Sequence, residues 1–222
     1  KKYTVIDQES GFEIELDNEY MMSPKDLCTL DFLDQVIDSG IKVLKIEGRG
    51  RAADYVATVI KTYREAIDSY YEGTFTKEKI NTWMEALATV YNRGFWSGYY
   101  LGQKLGEWSD NPGSNATQKK VYVGKGMHYF PKSSIAEFKI EAYDIKKGDK
   151  ILITGPSTGA QELILEDFFV NDETSEKATK GDSCTLKVPF RIRLSDKMYK
   201  IVENYSMLLR FKETNALVAI IV

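Results

Sequence analysis

Between residues 103 and 118 the hydrophobic period of this chain changes, and that change limits the folds open to it. Upstream, apolar residues recur at helical spacing, first as Leu27, Leu30, Leu33, Val36 and Ile37. They recur again as Tyr55, Val56, Val59, Ile60, Tyr63, Ala66, Ile67 and Tyr70, and then as Ile80, Trp83, Met84, Leu87 and Val90 or Tyr91. Beyond residue 119 the period falls to two, the spacing of strands with one buried face. The stretch between collects Gly106, Ser109, Asp110, Asn111, Pro112, Gly113, Ser114 and Asn115 and has no period at all. We expect an α/β part over residues 1–102, a linker over 103–118 and an all-β domain over 119–222.

Within the first part, Phe12, Ile14 and Leu16 alternate with Glu13 and Glu15, then Asp17-Asn18 leads to Tyr20-Met21-Met22. This spacing predicts a hairpin, or two short strands around a turn. Ser23-Pro24 reads as a helix start and Gly40 as the helix end. A strand over 43–46 and a helix over about 51–72 follow. Gly73 closes that helix, and Thr76 caps another over about 77–91. Strand, helix, strand, helix is the order of a parallel sheet with right-handed crossovers. Two such units leave a sheet with bare faces and edges. The expectation is that they are the tail end of a larger α/β barrel whose earlier strands precede Lys1.

In the second part the expected strands are 120–124, 127–130, 135–141, 149–154, 161–169, 184–192, 198–203 and part of 206–221. Turns fall at Gly148-Asp149 and Gly155-Pro156. Short strands at this spacing imply a small antiparallel barrel or sandwich. Ala216 to Val222 is apolar throughout and is expected to be buried or paired.

Composition removes several function classes. A formal net charge of −3 offers no global basic field for nucleic acid. Two cysteines, Cys28 and Cys184, make no disulfide framework and fit a reducing compartment. They are too few to hold a structural zinc or an iron–sulfur cluster. With no signal peptide and no apolar run of spanning length, the expectation is a cytoplasmic protein away from membranes. No phosphate loop, dinucleotide fingerprint or metalloprotease motif is present. His128 is the one histidine and lies across the expected domain boundary from Cys28, so a histidine-based protease relay is disfavoured. Buried structural roles are expected for both cysteines.

The densest chemistry is Val43-Leu44-Lys45-Ile46-Glu47-Gly48-Arg49. Lys45, Glu47 and Arg49 alternate, so on an extended strand they share a face. Three charges there need partners or a ligand, and Lys25, Asp26, Arg51 and Tyr55 are the candidates to lie nearby. One reading is a structural ion-pair network. The favoured one is an anion or carboxylate site at a barrel mouth, with Arg49 as clamp and Glu47 as its orienter or a general base. Lys45 and Glu47 are thus candidate catalytic residues, and Arg49, Lys25, Asp26, Arg51 and Tyr55 candidate substrate-binding ones. Asn92 to Gly102 interleaves three further glycines with Phe95, Trp96, Tyr99 and Tyr100. It reads either as a loop pinned to the core or as a stacking surface for a planar ligand.

Five blocks carry a family resemblance: Met22-Ser23-Pro24-Lys25-Asp26-Leu27-Cys28, Leu44-Lys45-Ile46-Glu47-Gly48-Arg49, Tyr55-Val56-Ala57-Thr58-Val59, Tyr63-Arg64-Glu65-Ala66-Ile67-Asp68 and Asn92-Arg93-Gly94-Phe95. In order and spacing they resemble peptidase family U32, the collagenase-like proteases, a group that includes bacterial proteins hydroxylating uridine in RNA. Gly50-Arg51-Ala52 departs from the family's usual continuation after Arg49 but keeps a positive charge. The resemblance implies a TIM-like barrel of which residues 20–72 form the last two βα units, followed by a small antiparallel β-barrel. That barrel resembles the second domain of translation elongation factors, a grip for RNA or protein. An iron–sulfur cluster is implied for the full-length protein with its ligands upstream of residue 1, and no cofactor for this chain.

The function the resemblance implies first is a part in hydroxylating the wobble uridine of tRNA, with prephenate as co-substrate. A collagenase-like peptidase and a non-catalytic RNA- or protein-binding module are the alternatives. The implied partners are tRNA or a peptide substrate and the missing amino-terminal half of the barrel. The chain alone is expected to be inactive.

Overall fold

In the computed structural model the described residues are 2–17, 23–205 and 207. They fall into two compact units, one of residues 2–47 and 58–117, the other of 48–57 and 118–208. The architecture is mixed, with helices in the first unit and a large antiparallel sheet in the second.

The first unit opens with a hairpin in which β1 (Lys2–Ile6) pairs antiparallel with β2 (Glu13–Asp17). The Asp7 carboxylate makes the turn by accepting the amides of Glu9 and Ser10 at 2.9 and 2.8 Å. Those bonds hold its pKa below the ordinary aspartate value. The hairpin expected to turn at Asp17-Asn18 therefore turns earlier, because residues 2–6 supply the partner strand; Tyr20 to Met22 lie outside the described residues. No helix starts at Pro24 either. Asp26 and Leu27 form β3 instead, paired in parallel with β4 (Phe95–Trp96). Only after a 3-10 turn at Leu30–Phe32 does α1 (Leu33–Asp38) begin. The hydrogen bonds offered by β4 outweigh the local helix-start signal, which weighs only about 1 kcal/mol.

Residues 43–46, expected as a strand, form no regular element and have no strand neighbour among the described residues, and Val43 is 82% exposed. A strand exists only through its neighbour, so this segment is not one here. The parallel order expected across 12–46 is accordingly absent from the described residues. The helices agree better. α2 (Ala53–Tyr71) buries Val59, Thr62, Ala66 and Ser69 along one stripe. Ile60, expected inward, is 51% exposed. α3 (Lys77–Thr89) is capped by the Thr76 hydroxyl, which accepts the Lys79 amide at 3.4 Å, and buries Ile80, Trp83, Leu87 and Ala88.

Residues 103–117, read from sequence as linker, are bound into the first unit. The Ser109 amide donates to the Ser23 carbonyl at 2.9 Å, and the Asn115 amide to Asn92 at 2.7 Å. Thr117 donates to the Ala88 carbonyl through both its amide and its hydroxyl, at 2.8 and 3.2 Å.

The second unit is an eight-stranded antiparallel sheet. Its strands are β5 (Gln118–Phe130), β6 (Ile135–Ile140), β8 (Lys150–Gly155), β9 (Gly159–Ile164), β10 (Phe168–Val170), β11 (Glu173–Ser175), β13 (Ser183–Lys187) and β14 (Lys197–Glu203). In space the order is β11-β10-β13-β6-β5-β14-β8-β9, and β7 (Ile145–Lys146) pairs separately with β12 (Lys177–Ala178). The terminal strands β9 and β11 do not pair with each other. One core gathers against the sheet, with Val123, Phe138, Ile140, Ile151, Ile153, Phe168 and Met198 at 0–1% exposure. Each such side chain contributes roughly 1.5–3 kcal/mol by leaving water. The strand expected over 161–169 breaks at Leu165–Asp167 into β9 and β10, and the one expected over 184–192 stops at Lys187, since Pro189 has no amide to donate. The apolar tail lies outside the described residues.

β5 is bent twice, by irregularities opposite Met198/Tyr199 and between Gly126 and His128. At the first bend Gly124 faces the core so tightly that a Cβ would sit 1.9 Å from the Lys139 carbonyl oxygen. The second bend shifts the alternation by one residue, so that Lys125, His128 and Phe130 all face outward.

Candidate functional site

Three of the five motif blocks meet at β3 and β4. The Asp26 amide donates to the Gly94 carbonyl and the Cys28 amide to that of Trp96, at 2.8 and 2.9 Å. The Asp26 carboxylate accepts the Arg93 amide at 2.9 Å and lies 3.4 Å from its guanidinium, while the buried Arg93 Nε has no partner. Lys25 forms an ion pair of 2.7 Å with Glu107. Beneath them the Tyr63 hydroxyl of α2 accepts the Thr29 amide at 3.0 Å and donates to the Cys28 sulfur at 3.8 Å. Burial pushes the Tyr63 phenol far above its usual pKa, so it stays protonated.

Cys28 touches the Met84 sulfur at 3.7 Å, and burial raises its thiol pKa. Cys184 is fully buried in the sheet core, its thiol pushed up to about 12 by burial and then by Asp182. A thiol nucleophile needs the opposite environment, exposed and electropositive. Both cysteines take the structural role expected of them. Among the described residues no cluster of His, Cys, Asp and Glu could hold a metal ion.

The predicted site residues distribute as follows. Lys25 and Asp26 sit side by side on the chain at β3, tied to Glu107 and Arg93. Lys45, Glu47 and Arg49 are all exposed in the chain before α2, Lys45 and Glu47 in an irregular stretch and Arg49 in a turn. The Arg51 guanidinium stacks over the Tyr55 ring at 5.3 Å. Sequence reasoning did not single out Arg93, Glu107 or Tyr63 as partners in this cluster. Arg93 stood inside a quoted block, whereas its approach to Asp26 depends on a strand pair 67 residues apart in sequence. In the aromatic loop Trp96 packs edge-on against Tyr99 at 5.2 Å, while Tyr99 and Tyr100 are 62% and 65% exposed.

The second unit carries a cleft of about 420 Å³ lined by Ala52, Ala53, Asp54, Lys120, Thr154, Gly155, Pro156, Ser195, Lys197 and Tyr199. Next to two of these residues in sequence, Asp196 is buried, 2% exposed, and accepts the Thr158 hydroxyl at 2.5 Å and the Arg193 amide at 2.8 Å. A Cβ on Gly155 would fall 1.8 Å from that carboxylate. Lys120 pairs with Asp54 at 2.6 Å and lies over the Tyr199 ring at 5.8 Å. Tyr199 meets Tyr122 edge-on at 5.7 Å. The Tyr122 hydroxyl donates to Glu141 at 2.6 Å, and this bond, with some burial, raises its pKa to about 12. No residue of this cleft from the sheet was anticipated, because the strand register that gathers them is invisible in sequence.

Comparison with known proteins gives these surfaces a lineage. Residues 1–110 match peptidase family U32. A Porphyromonas gingivalis protein named collagenase is 50% identical over 198 residues, 89% of this chain and 48% of its own length. An uncharacterized protease of Methanocaldococcus jannaschii is 32% identical over 91% of this chain and 50% of its own. The tRNA hydroxylation protein P1 of Bacillus subtilis is also 32% identical, over 83% of this chain and 43% of its own. The chain spans about half the length of these relatives. With its motif blocks joined at β3, β4 and α2, it belongs to peptidase family U32.

Proposed function

We propose that the chain is the carboxyl-terminal part of a U32 enzyme that hydroxylates the wobble uridine of tRNA. The observation that carries this reading is the state of the thiols. Both cysteines are buried with raised pKa values, so this part of the protein offers no thiol poised as a peptidase nucleophile. On this reading residues 20–72 complete a TIM-like barrel. The exposed Val43 and Leu44 of the unpaired segment support it, since strands from the missing half would cover them. Lys45, Glu47 and Arg49 then face the barrel mouth, Arg49 clamping an anionic group and Lys45 and Glu47 moving protons. Lys25, Asp26, Arg51 and Tyr55 are the further candidates for substrate binding on this reading. The sheet unit acts as a small barrel that holds RNA, and the enzyme works in the cytoplasm.

The iron–sulfur cluster implied by the resemblance finds no fit here: two core cysteines cannot ligate it. Its ligands belong to the segment before residue 1 on this proposal, and no step is derived through it. Without that segment the chain has no turnover.

A collagenase-like peptidase is the second reading, favoured by the 50% identity to a protein of that name. Mass analysis of tRNA nucleosides from cells lacking the full-length gene separates the two. Loss of hydroxylated wobble uridine, restored by wild type and not by Arg49→Ala, is the expected result. Unchanged nucleosides together with cleavage of denatured collagen by the purified protein would replace it with the peptidase.

A further inference from the structure

Cross-strand register places three lysines opposite one another on the outer face of the sheet. Lys197 of β14 faces Lys125 of β5, and Lys125 faces Lys139 of β6. The row continues into hydroxyls at both ends, Thr154 of β8 beside Lys197 and Ser183 of β13 beside Lys139. Like charges directly opposite destabilise a sheet, so the row has a cost that the fold does not explain. Compensation is partial. Lys125 pairs with Glu141 at 2.8 Å, Lys139 donates to the Gly181 carbonyl near Asp182, and Lys197 has no acidic partner among the described residues. Glu137 is the acid of the next row, between His128 and Thr185.

Aromatic rings flank the row on both sides of the same face. Tyr122 and Tyr199 lie on one side, beside the cleft. On the other, His128 and Phe130 contact at 4.4 Å between centroids, with Phe130 45% exposed. Strands lie about 4.8 Å apart, so the three lysine backbones span about 10 Å across the face. A row of cations flanked by rings, His128 and Phe130 exposed and Tyr122 and Tyr199 half-buried, matches a chain that alternates phosphates with planar bases. An acidic peptide would use the lysines and leave the rings idle.

We infer that the outer face of this sheet binds single-stranded RNA, its phosphates along Lys197, Lys125 and Lys139 and its bases on the flanking rings. The inference rests on the RNA-modifying reading above and names the surface by which that substrate is held.

The test is fluorescence anisotropy of a labelled oligouridylate with the full-length protein, titrated at several salt concentrations. Replacing all three lysines by glutamine is expected to weaken binding at least about tenfold. It should also flatten the log–log salt dependence by about 2, near 0.7 for each lost phosphate contact. His128→Ala with Phe130→Ala is expected to lose about fivefold or more with the salt slope unchanged. A triple variant of unaltered melting temperature that keeps wild-type affinity and slope overturns the proposal. So does polyglutamate competing as well as RNA, which makes the row an acidic-peptide site. Nucleoside analysis keeps the two readings apart. Normal hydroxylation by the triple variant sinks this surface alone, whereas lysine-dependent RNA binding with unchanged nucleosides in the deletion strain sinks the hydroxylation reading alone.

Discussion

Single residues carry most of the electrostatic argument. Tyr122 is the clearest, because the Glu141 carboxylate that accepts its proton also sits 2.8 Å from Lys125. The lysine, and after it the tyrosine, hold Glu141 below the usual glutamate range, while Glu141 lifts Tyr122 to about 12. A phenol raised above its unfolded value near 10 lends stability that is complete below that pH and lost as pH climbs through about 12. An NMR titration with ring-labelled tyrosine, assigned by Tyr122→Phe, should show this phenol titrating near 12, and Glu141→Gln should return it toward 10. At this scale the sequence was half legible. Lys25, Asp26, Arg51 and Tyr55 were expected near Lys45, Glu47 and Arg49; the structure ties Lys25 to Glu107, Asp26 to Arg93 and Arg51 to Tyr55. Their partners Glu107 and Arg93 were not legible, since both come from chain more than 60 residues away.

At the scale of elements, legibility followed the range of the interactions that decide each one. α2 and α3 were readable because cap and stripe are local, down to Thr76 and the buried Val59, Ala66, Trp83 and Leu87. β3 was misread as helix, and 43–46 as strand, because a strand is settled by its neighbour. Strand register was the largest loss, and the lysine row is written only in register. Close backbone approach at Gly124 belongs to the same class. With a Cβ 1.9 Å from the Lys139 carbonyl, Gly124→Ala must push β5 away from β6. The expected cost is at least about 3 kcal/mol, read as a lowered urea midpoint. An unchanged midpoint would mean the strands approach less closely than described.

At the scale of the whole molecule, each unit holds one buried thiol, Cys28 in the first and Cys184 in the second. That gives each unit its own reporter. The second unit's core is continuous around Cys184, at 0% exposure, whereas Cys28 in the first unit keeps 8%. Pulsed alkylation at rising urea, with modified peptides weighed by mass spectrometry, should label Cys28 at lower denaturant than Cys184. Coincident curves would mean a single cooperative block. The mixture of helices and a large antiparallel sheet was legible as the change of hydrophobic period; the hydrogen bonding of 103–117 onto the first unit was not, because its glycines and asparagines signal only the lack of a regular element. The β1–β2 hairpin stands alone as a two-stranded sheet, with Val5 43%, Ile6 52% and Phe12 63% exposed. Open strand edges beside apolar side chains recruit further strands. In a purified sample of this chain, solubility will therefore be governed by its first dozen residues, and concentration will favour edge-to-edge aggregates that a covering strand would prevent.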